Sequence, residues 1–112
     1  MDNKEILGII VNAIEDKKGK NVEILDISKI SIMADYFVIA SGSNTNQIDA
    51  ILDNLQTELH KAHVPLRSIE GHSGSGWILL DYQDIIIHIF DDESRAFYDL
   101  ERIWGDSERV TL

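Results

Sequence analysis

Four histidines, a serine- and glycine-rich stretch and twenty carboxylates are the groups in this chain that could do chemistry. No cysteine accompanies them, so disulfides, thiolate nucleophiles and cysteine metal sites are excluded together. His60 and His63 stand three apart near the end of an expected helix, a spacing that could bind metal. No third ligand is near them in sequence, so solvated histidines at a helix end are the plainer account. Ser73, Ser75 and Asp81 could be drawn with a histidine as a triad, but no nucleophile elbow supports it. His88 interrupts an isoleucine strand and shares a face with Ile86 and Phe90. A hydrogen-bonded, half-buried histidine and a binding-face histidine both fit, because a polar group there must find a partner.

The Gly42-Ser43 turn, placed between an expected strand and an expected helix, could hold an anion. It has one glycine and no lysine of the Walker type, so a capped strand-to-helix turn explains it as well. The same turn resembles the Gly-Ser element that opens nucleotidyltransferase sites. Those sites need paired carboxylates on a strand to hold divalent metal at the phosphates. Asp49 and Asp53 are four apart on an expected helix, and no such strand follows. Phosphoryl transfer is left without its metal ligands.

Charge narrows the partners. Twenty Asp and Glu against ten Lys and Arg give a net charge of −10. The first twenty residues are neutral, and the acidity is spread through the rest. Such a chain repels nucleic-acid phosphates and anionic membranes and favours a basic partner. No apolar run approaches the ~18 residues of a membrane span, and acids stand where a signal peptide has bases. A cytoplasmic protein is expected. With 44% hydrophobic and 27% charged residues over 112 positions, one globular domain covering residues 1–112 is expected.

The elements that would position these groups follow from periodicity. Ile6, Ile10, Ala13 and Ile14 recur at helical spacing and predict a helix over 3–18, capped by Asp2 with Glu5 three residues on. Residues 22–27 and the continuous apolar run 36–40 predict strands, the second covered on both faces. Asn44, with Gln47 three residues later, caps a helix whose stripe is Ile48, Ile51, Leu52, Leu55, Leu59 and Ala62; Pro65 forbids its continuation. A short strand over 66–70 and a flexible loop over 71–76 follow. Strands over 77–82 and 85–90, joined by a tight turn near Gln83-Asp84, predict an antiparallel hairpin. Asp91-Asp92-Glu93-Ser94 opens a last helix with a stripe of Phe97, Leu100 and Trp104. The order α-β-β-α-β-β-β-α predicts an α/β (α+β) domain with a mixed sheet.

Residues 70–109 hold ten acids and three arginines, interleaved with Trp77, Tyr82, Phe90, Phe97, Tyr98 and Trp104. Trp77, Leu79 and Asp81 face one way along their strand, and Ile78, Leu80 and Tyr82 the other; one set must contain the core. Aromatic residues beside charges serve both as interface anchors and as core.

Three segments carry a resemblance. They are Asp35-Tyr36-Phe37-Val38-Ile39-Ala40-Ser41-Gly42-Ser43, then Glu70-Gly71 with the block Gly76 to Phe90, and then Asp92-Glu93-Ser94-Arg95-Ala96-Phe97-Tyr98-Asp99-Leu100-Glu101-Arg102-Ile103-Trp104. Together they resemble the ribosomal silencing factor (Iojap-like) family, over about residues 4–106. Gln83 departs from the pattern, where members usually have glycine. The resemblance implies a nucleotidyltransferase-like fold that has lost catalysis, with no cofactor or metal. It implies binding to the fourteenth protein of the large ribosomal subunit, on the face that meets the small subunit. Subunit joining would be blocked and translation repressed, chiefly in starved or stationary cells. A homodimer is among the implied states. Carried over residue by residue, the contact surface draws on Glu70, Trp77, Asp81, Asp84, His88, Glu93, Ser94, Arg95 and Tyr98. Arg95 has an alternative role in an internal ion pair with Glu70 or Asp81. An enzyme or nucleotide binder using the Gly42-Ser43 turn is the alternative function.

Overall fold

The computed structural model describes residues 1–112, and its centre is a six-stranded mixed sheet. In chain order the elements are α1 (Asn3–Asp16), β1 (Lys20–Asp26), β2 (Tyr36–Gly42), α2 (Thr45–Lys61) and β3 (Ser68–Glu70), then β4 (Trp77–Asp81), β5 (Ile85–Asp91), α3 (Asp92–Tyr98), α4 (Leu100–Ile103) and β6 (Glu108–Arg109). The strands lie in the order β3-β4-β5-β2-β1-β6. Only β2 and β5 pair in parallel, from Tyr36 against Ile85 to Gly42 against Asp91; the other pairs are antiparallel. β2 is the continuous apolar run expected to be covered on both faces, β5 is the isoleucine strand that His88 interrupts, and nearly every residue of both is buried. The fold is α+β, as the element order predicts.

One face of the sheet carries α1 and α2. Leu7, Ile10, Ala13 and Ile14 from α1 meet Ile48, Ile51, Leu55 and Leu59 from α2 over Val38, Ala40, Ile78, Leu80, Ile87 and Ile89. Burying each of the larger side chains contributes about 2 kcal/mol. Of the two sets on β4, Ile78, Leu80 and Tyr82 are therefore the core set. Both helix starts are capped as the sequence predicts: Asp2 accepts from the Glu5 N–H at 2.9 Å, and Asn44 accepts from the Gln47 N–H at 2.8 Å.

The opposite face holds a smaller cluster of Leu25, Ile27, Ala34, Phe37, Ile39, Ile86, Phe90 and Leu100, with Trp77, Leu79 and Trp104 at its margin. No long helix covers it. The expected single last helix is broken: Asp99 adopts φ 48°, ending α3 and starting α4. Phe97, assigned to the apolar stripe, is 80% exposed in consequence, while Leu100 is buried. The break turns α4 back onto the sheet and lets the chain add β6 against β1, a strand too short to be legible by alternation.

One further expectation changes. The segment 71–76 is a structured 3₁₀ turn over Ser73–Ser75, in which the Gly74 N–H donates to His72 Nδ1 at 3.2 Å. The crossover from β2 through α2 ends at β3 on the far edge of the sheet, with β5 and β4 lying between.

The hairpin turn is closed by the Tyr82 N–H on the Ile85 carbonyl at 2.9 Å, with Gln83 at φ 74°. An L-residue there costs roughly 1–2 kcal/mol, which glycine avoids at some expense in unfolded-chain entropy. Gln83→Gly is expected to stabilise the protein by about 0.5 kcal/mol, raising the melting temperature by about 2–4 °C. A lower melting temperature in a calorimetric scan would refute this account of the turn.

Candidate functional site

The face of the sheet turned away from α1 and α2 brings most of the sequence-designated residues together. Trp77 opens β4 and lies against Phe90, its partner across the strand pair, with ring centroids 5.1 Å apart. Tyr98 at the end of α3 packs on the same indole at 4.6 Å, and Phe97 packs edge-on to Tyr98 at 5.1 Å. The result is a continuous aromatic strip whose outer members, Tyr98 and Phe97, are 42% and 80% exposed. Two glycines make this packing possible. Gly71 and Gly76 both adopt left-handed φ, at 86° and 83°. A side chain at Gly71 would strike the Trp77 carbonyl, and one at Gly76 would strike the Ser94 hydroxyl. Beside the strip, Glu70, Gly71, Trp77 and Leu79 line a shallow recess of about 230 Å³.

His88 sits under this strip and is buried, rather than half-buried as one reading of the sequence had it. The Trp77 indole N–H donates to His88 Nδ1 at 3.1 Å. An indole N–H can only donate, so Nδ1 carries the lone pair and the proton resides on Nε2. That Nε2 has no hydrogen-bond partner. Burial pushes the His88 pKa down to about 4, because a charged imidazole would lose its hydration there. His88 is therefore a neutral acceptor that fixes the plane of Trp77.

The charged residues form a rim. Glu70 is exposed at the end of edge strand β3, and Glu93 is exposed in the first turn of α3. Asp81 accepts from the Gln83 N–H at 2.8 Å, with Arg67 Nε 4.0 Å from its other oxygen. Asp84 exposes its carboxylate in the hairpin turn, and its carbonyl accepts from the Asp35 and Tyr36 N–H groups at 2.8 and 3.1 Å.

Ser94 and Arg95 are placed differently. Ser94 is half-buried behind Gly76, its N–H on Asp91 Oδ1 at 2.7 Å, so Asp91 is the cap of α3. Arg95 pairs with Glu101 at 3.1 Å, not with Glu70 or Asp81, and their side chains are only 12% and 21% exposed. Its other nitrogens donate to Ser41 Oγ at 2.9 Å and to the Asn21 carbonyl at 2.7 Å. Arg95 thus ties β1, β2, α3 and α4 together. The bulge in β1, with Asn21 at φ 53°, is what aims that carbonyl at it. Spacing gave no signal for Glu101 or Ser41, since the first lies beyond the helix break and the second on another strand.

The strand-to-helix turn is capped by its own side chains. Its Ser43 N–H donates to Gln47 Oε1 at 2.5 Å, and the Gln47 N–H is taken by Asn44. The Gln47 amide also reaches the Lys18 carbonyl at 2.9 Å, sealing the turn against the end of α1. No three histidine or carboxylate side chains come together as a metal site would require.

No helix is long and apolar enough to cross a membrane. A face with aromatic anchors and an acidic rim can bind a protein. The family model described as ribosomal silencing factor during starvation matches residues 1–112. The ribosomal silencing factor RsfS of Halalkalibacterium halodurans is 37% identical over 112 residues, spanning 100% of this chain and 96% of that one. A crystal structure of a Chromobacterium violaceum protein superposes with a TM-score of 0.90 at 33% identity, covering 94% of this chain and 88% of the other. A more distant mouse relative, named mitochondrial assembly of ribosomal large subunit protein 1, is 27% identical over 103 residues, covering 88% of this chain and 44% of that one. The chain belongs to the ribosomal silencing factor family, whose members are ribosome-associated regulators of translation.

Proposed function

We propose that the protein represses translation by docking the aromatic strip and acidic rim on the side of the sheet away from α1 and α2 on the large ribosomal subunit and keeping the small subunit from joining. The partner is the fourteenth protein of that subunit, on the surface that meets the small subunit. Repression acts chiefly under starvation or in stationary phase, in the cytoplasm, and needs no catalysis, cofactor or metal. The contact surface comprises Glu70, Trp77, Asp81, Asp84, His88, Glu93, Ser94, Arg95 and Tyr98, with His88 and Arg95 acting from beneath by holding the anchors in place.

The observation that carries this reading is the exposed aromatic strip of Trp77, Tyr98 and Phe97 within an acidic rim. Aromatic anchors supply most of the energy of such contacts. A rim of Glu70, Asp81, Asp84 and Glu93 on a chain of net charge −10 suits a basic ribosomal protein and speeds encounter. A homodimer belongs to the same proposal, with Phe97 and Ile103, 80% and 68% exposed, as apolar surface available to it. Sedimentation equilibrium of the protein alone reads that state. The enzyme or nucleotide-binding alternative draws no support from the Gly42-Ser43 turn, whose Ser43 N–H is held by Gln47.

The test is sedimentation of separated subunits with added protein. The expected result is protein travelling with free large subunits and a loss of joined ribosomes. Unchanged subunit profiles at saturating protein would overturn the reading. The rim makes a further prediction. Asp84→Lys is expected to weaken binding to purified large subunits by about fivefold, or roughly 1 kcal/mol, through slower association and like-charge contact. The loss should shrink at high salt, where the Debye length falls to about 3 Å. Asp49→Lys, on the exposed side of α2 and away from the site, should bind as wild type. Equal binding of the two variants at low salt would remove Asp84 from the contact surface.

A further inference from the structure

We infer that the loop over residues 30–33 is a second apolar anchor of the docking surface, entering an apolar depression rimmed by basic side chains on the same large-subunit partner. The inference rests on the docking reading above and extends it to residues that the sequence motifs do not include.

Ile30, Ile32 and Met33 are 45%, 105% and 79% exposed. Contiguous apolar surface on a soluble protein marks contact sites. These side chains are not at the tip of a loose excursion. The Ile30 and Ser31 N–H groups donate to the Ile27 carbonyl at 3.0 and 2.9 Å, and the Met33 N–H donates to Ser31 Oγ at 3.1 Å. The base is closed by the Ile27 N–H on the Asp35 carbonyl at 2.9 Å and by the Asp35 N–H on the Asp84 carbonyl at 2.8 Å. Ile27 and Ala34, the two feet of the loop, are buried in the cluster that also holds Phe37 and Phe90. The loop therefore springs from the margin of the aromatic face, at the end where Asp84 stands. Its backbone is already fixed, so binding through it orders little new chain.

Charge selects the occupant. Asp26, Asp35, Asp84 and Glu108 surround the base. Lys29, the one cation within residues 26–35, is engaged by Glu108 at 3.4 Å. The carboxylates of Asp26 and Asp35 are near enough to raise the Tyr36 phenol pKa, adding to the larger effect of burial. An acidic setting repels an anionic bilayer and the same acidic loop base on a second copy, and it attracts a basic protein surface.

The test is binding of the full chain to purified large ribosomal subunits. The double variant Ile32→Ser with Met33→Ser should melt within a few degrees of wild type, because both side chains lie outside the core. Its dissociation constant is expected to rise about thirtyfold. Met33→Gln, a gentler change, is expected to give a several-fold rise alone. If the double variant binds like wild type while Trp77→Ala does not, the loop is no anchor and the docking reading stands. If wild type fails to bind large subunits, the docking reading falls and the loop anchor with it. Two other arms identify a different occupant. Wild-type protein that sediments with phosphatidylglycerol–phosphatidylcholine vesicles, and a double variant that does not, would assign the loop to a lipid surface. A wild-type dimer that the double variant turns into a monomer would assign it to a second copy. Either result overturns the inference.

Discussion

Trp77→Ala is expected to weaken binding to purified large subunits about a hundredfold, or roughly 2.7 kcal/mol. The indole is half-buried at the margin of the smaller cluster, between Phe90 and Tyr98 at 5.1 and 4.6 Å. Its N–H is held by His88 Nδ1 at 3.1 Å. The ring is therefore oriented before any partner arrives, and little side-chain entropy is lost on binding. Truncation removes the anchor and leaves His88 Nδ1 without its donor, at a cost to stability of about 1–3 kcal/mol. Trp77→Phe separates the two effects. Phenylalanine keeps an aromatic surface against Phe90 and Tyr98 and loses only the donor, so its binding should fall less than tenfold. Both variants are compared at matched folded fraction by urea titration. Wild-type affinity in a folded Trp77→Ala protein would remove the aromatic strip from the contact.

Acid is expected to destabilise the protein by about 3 kcal/mol through His88 alone. Burial holds the folded-state pKa near about 4, against an ordinary value of 6.5. As pH falls, the unfolded chain takes up this proton first. The stabilising contribution is thus complete above pH 6.5 and is lost as pH falls through about 4. Within that window the slope approaches about 1.4 kcal/mol per pH unit. Protonation also puts a hydrogen on Nδ1, where the Trp77 N–H now donates. The bond that orients the anchor cannot survive it, so binding by the folded protein should weaken only as pH falls to about 4, where the folded state takes up the proton. The measurement is the urea midpoint of wild type and His88→Phe from pH 7.5 to 4. The stability of wild type should fall relative to the variant as pH drops. Parallel profiles would mean that His88 does not titrate with folding.

The two predictions meet on one pair of residues, and the pair illustrates how much of the site was legible. Trp77 and His88 are eleven apart in sequence. Alternation put Trp77, Leu79 and Asp81 on one side of their strand and His88 with Ile86 and Phe90 on one side of the next, without saying that the two sides coincide. The motif blocks then marked both residues as functional. What spacing could not supply was which residue lies on top. The sequence left His88 either half-buried or on a binding face; it is buried beneath the indole, with a specific tautomer. Arg95 shows the same limit. Its segment was recognised, but its partners Glu101, Ser41 and the Asn21 carbonyl come from three separate elements, α4, β2 and β1.

Local rules acting over a few residues determined the caps at Asp2 and Asn44, the stripes of α1 and α2, the doubly buried strand β2, and the β4–β5 hairpin. Those rules depend on nearest-neighbour geometry and survive any tertiary context that offers a core. The motif blocks also carried the family. Tertiary structure alone decided the rest. The break at Asp99 occurs where φ 48° lets Leu100 reach the sheet while Phe97 turns outward; a helical stripe cannot encode that exchange. β6 forms because the break returns the chain to β1, and two residues carry no readable alternation. The exposure of Ile32 and Met33 is settled by the buried feet at Ile27 and Ala34. Apolar character in a sequence tells that a side chain prefers burial; only the packing of distant segments determines whether this chain buries it or leaves it for a partner.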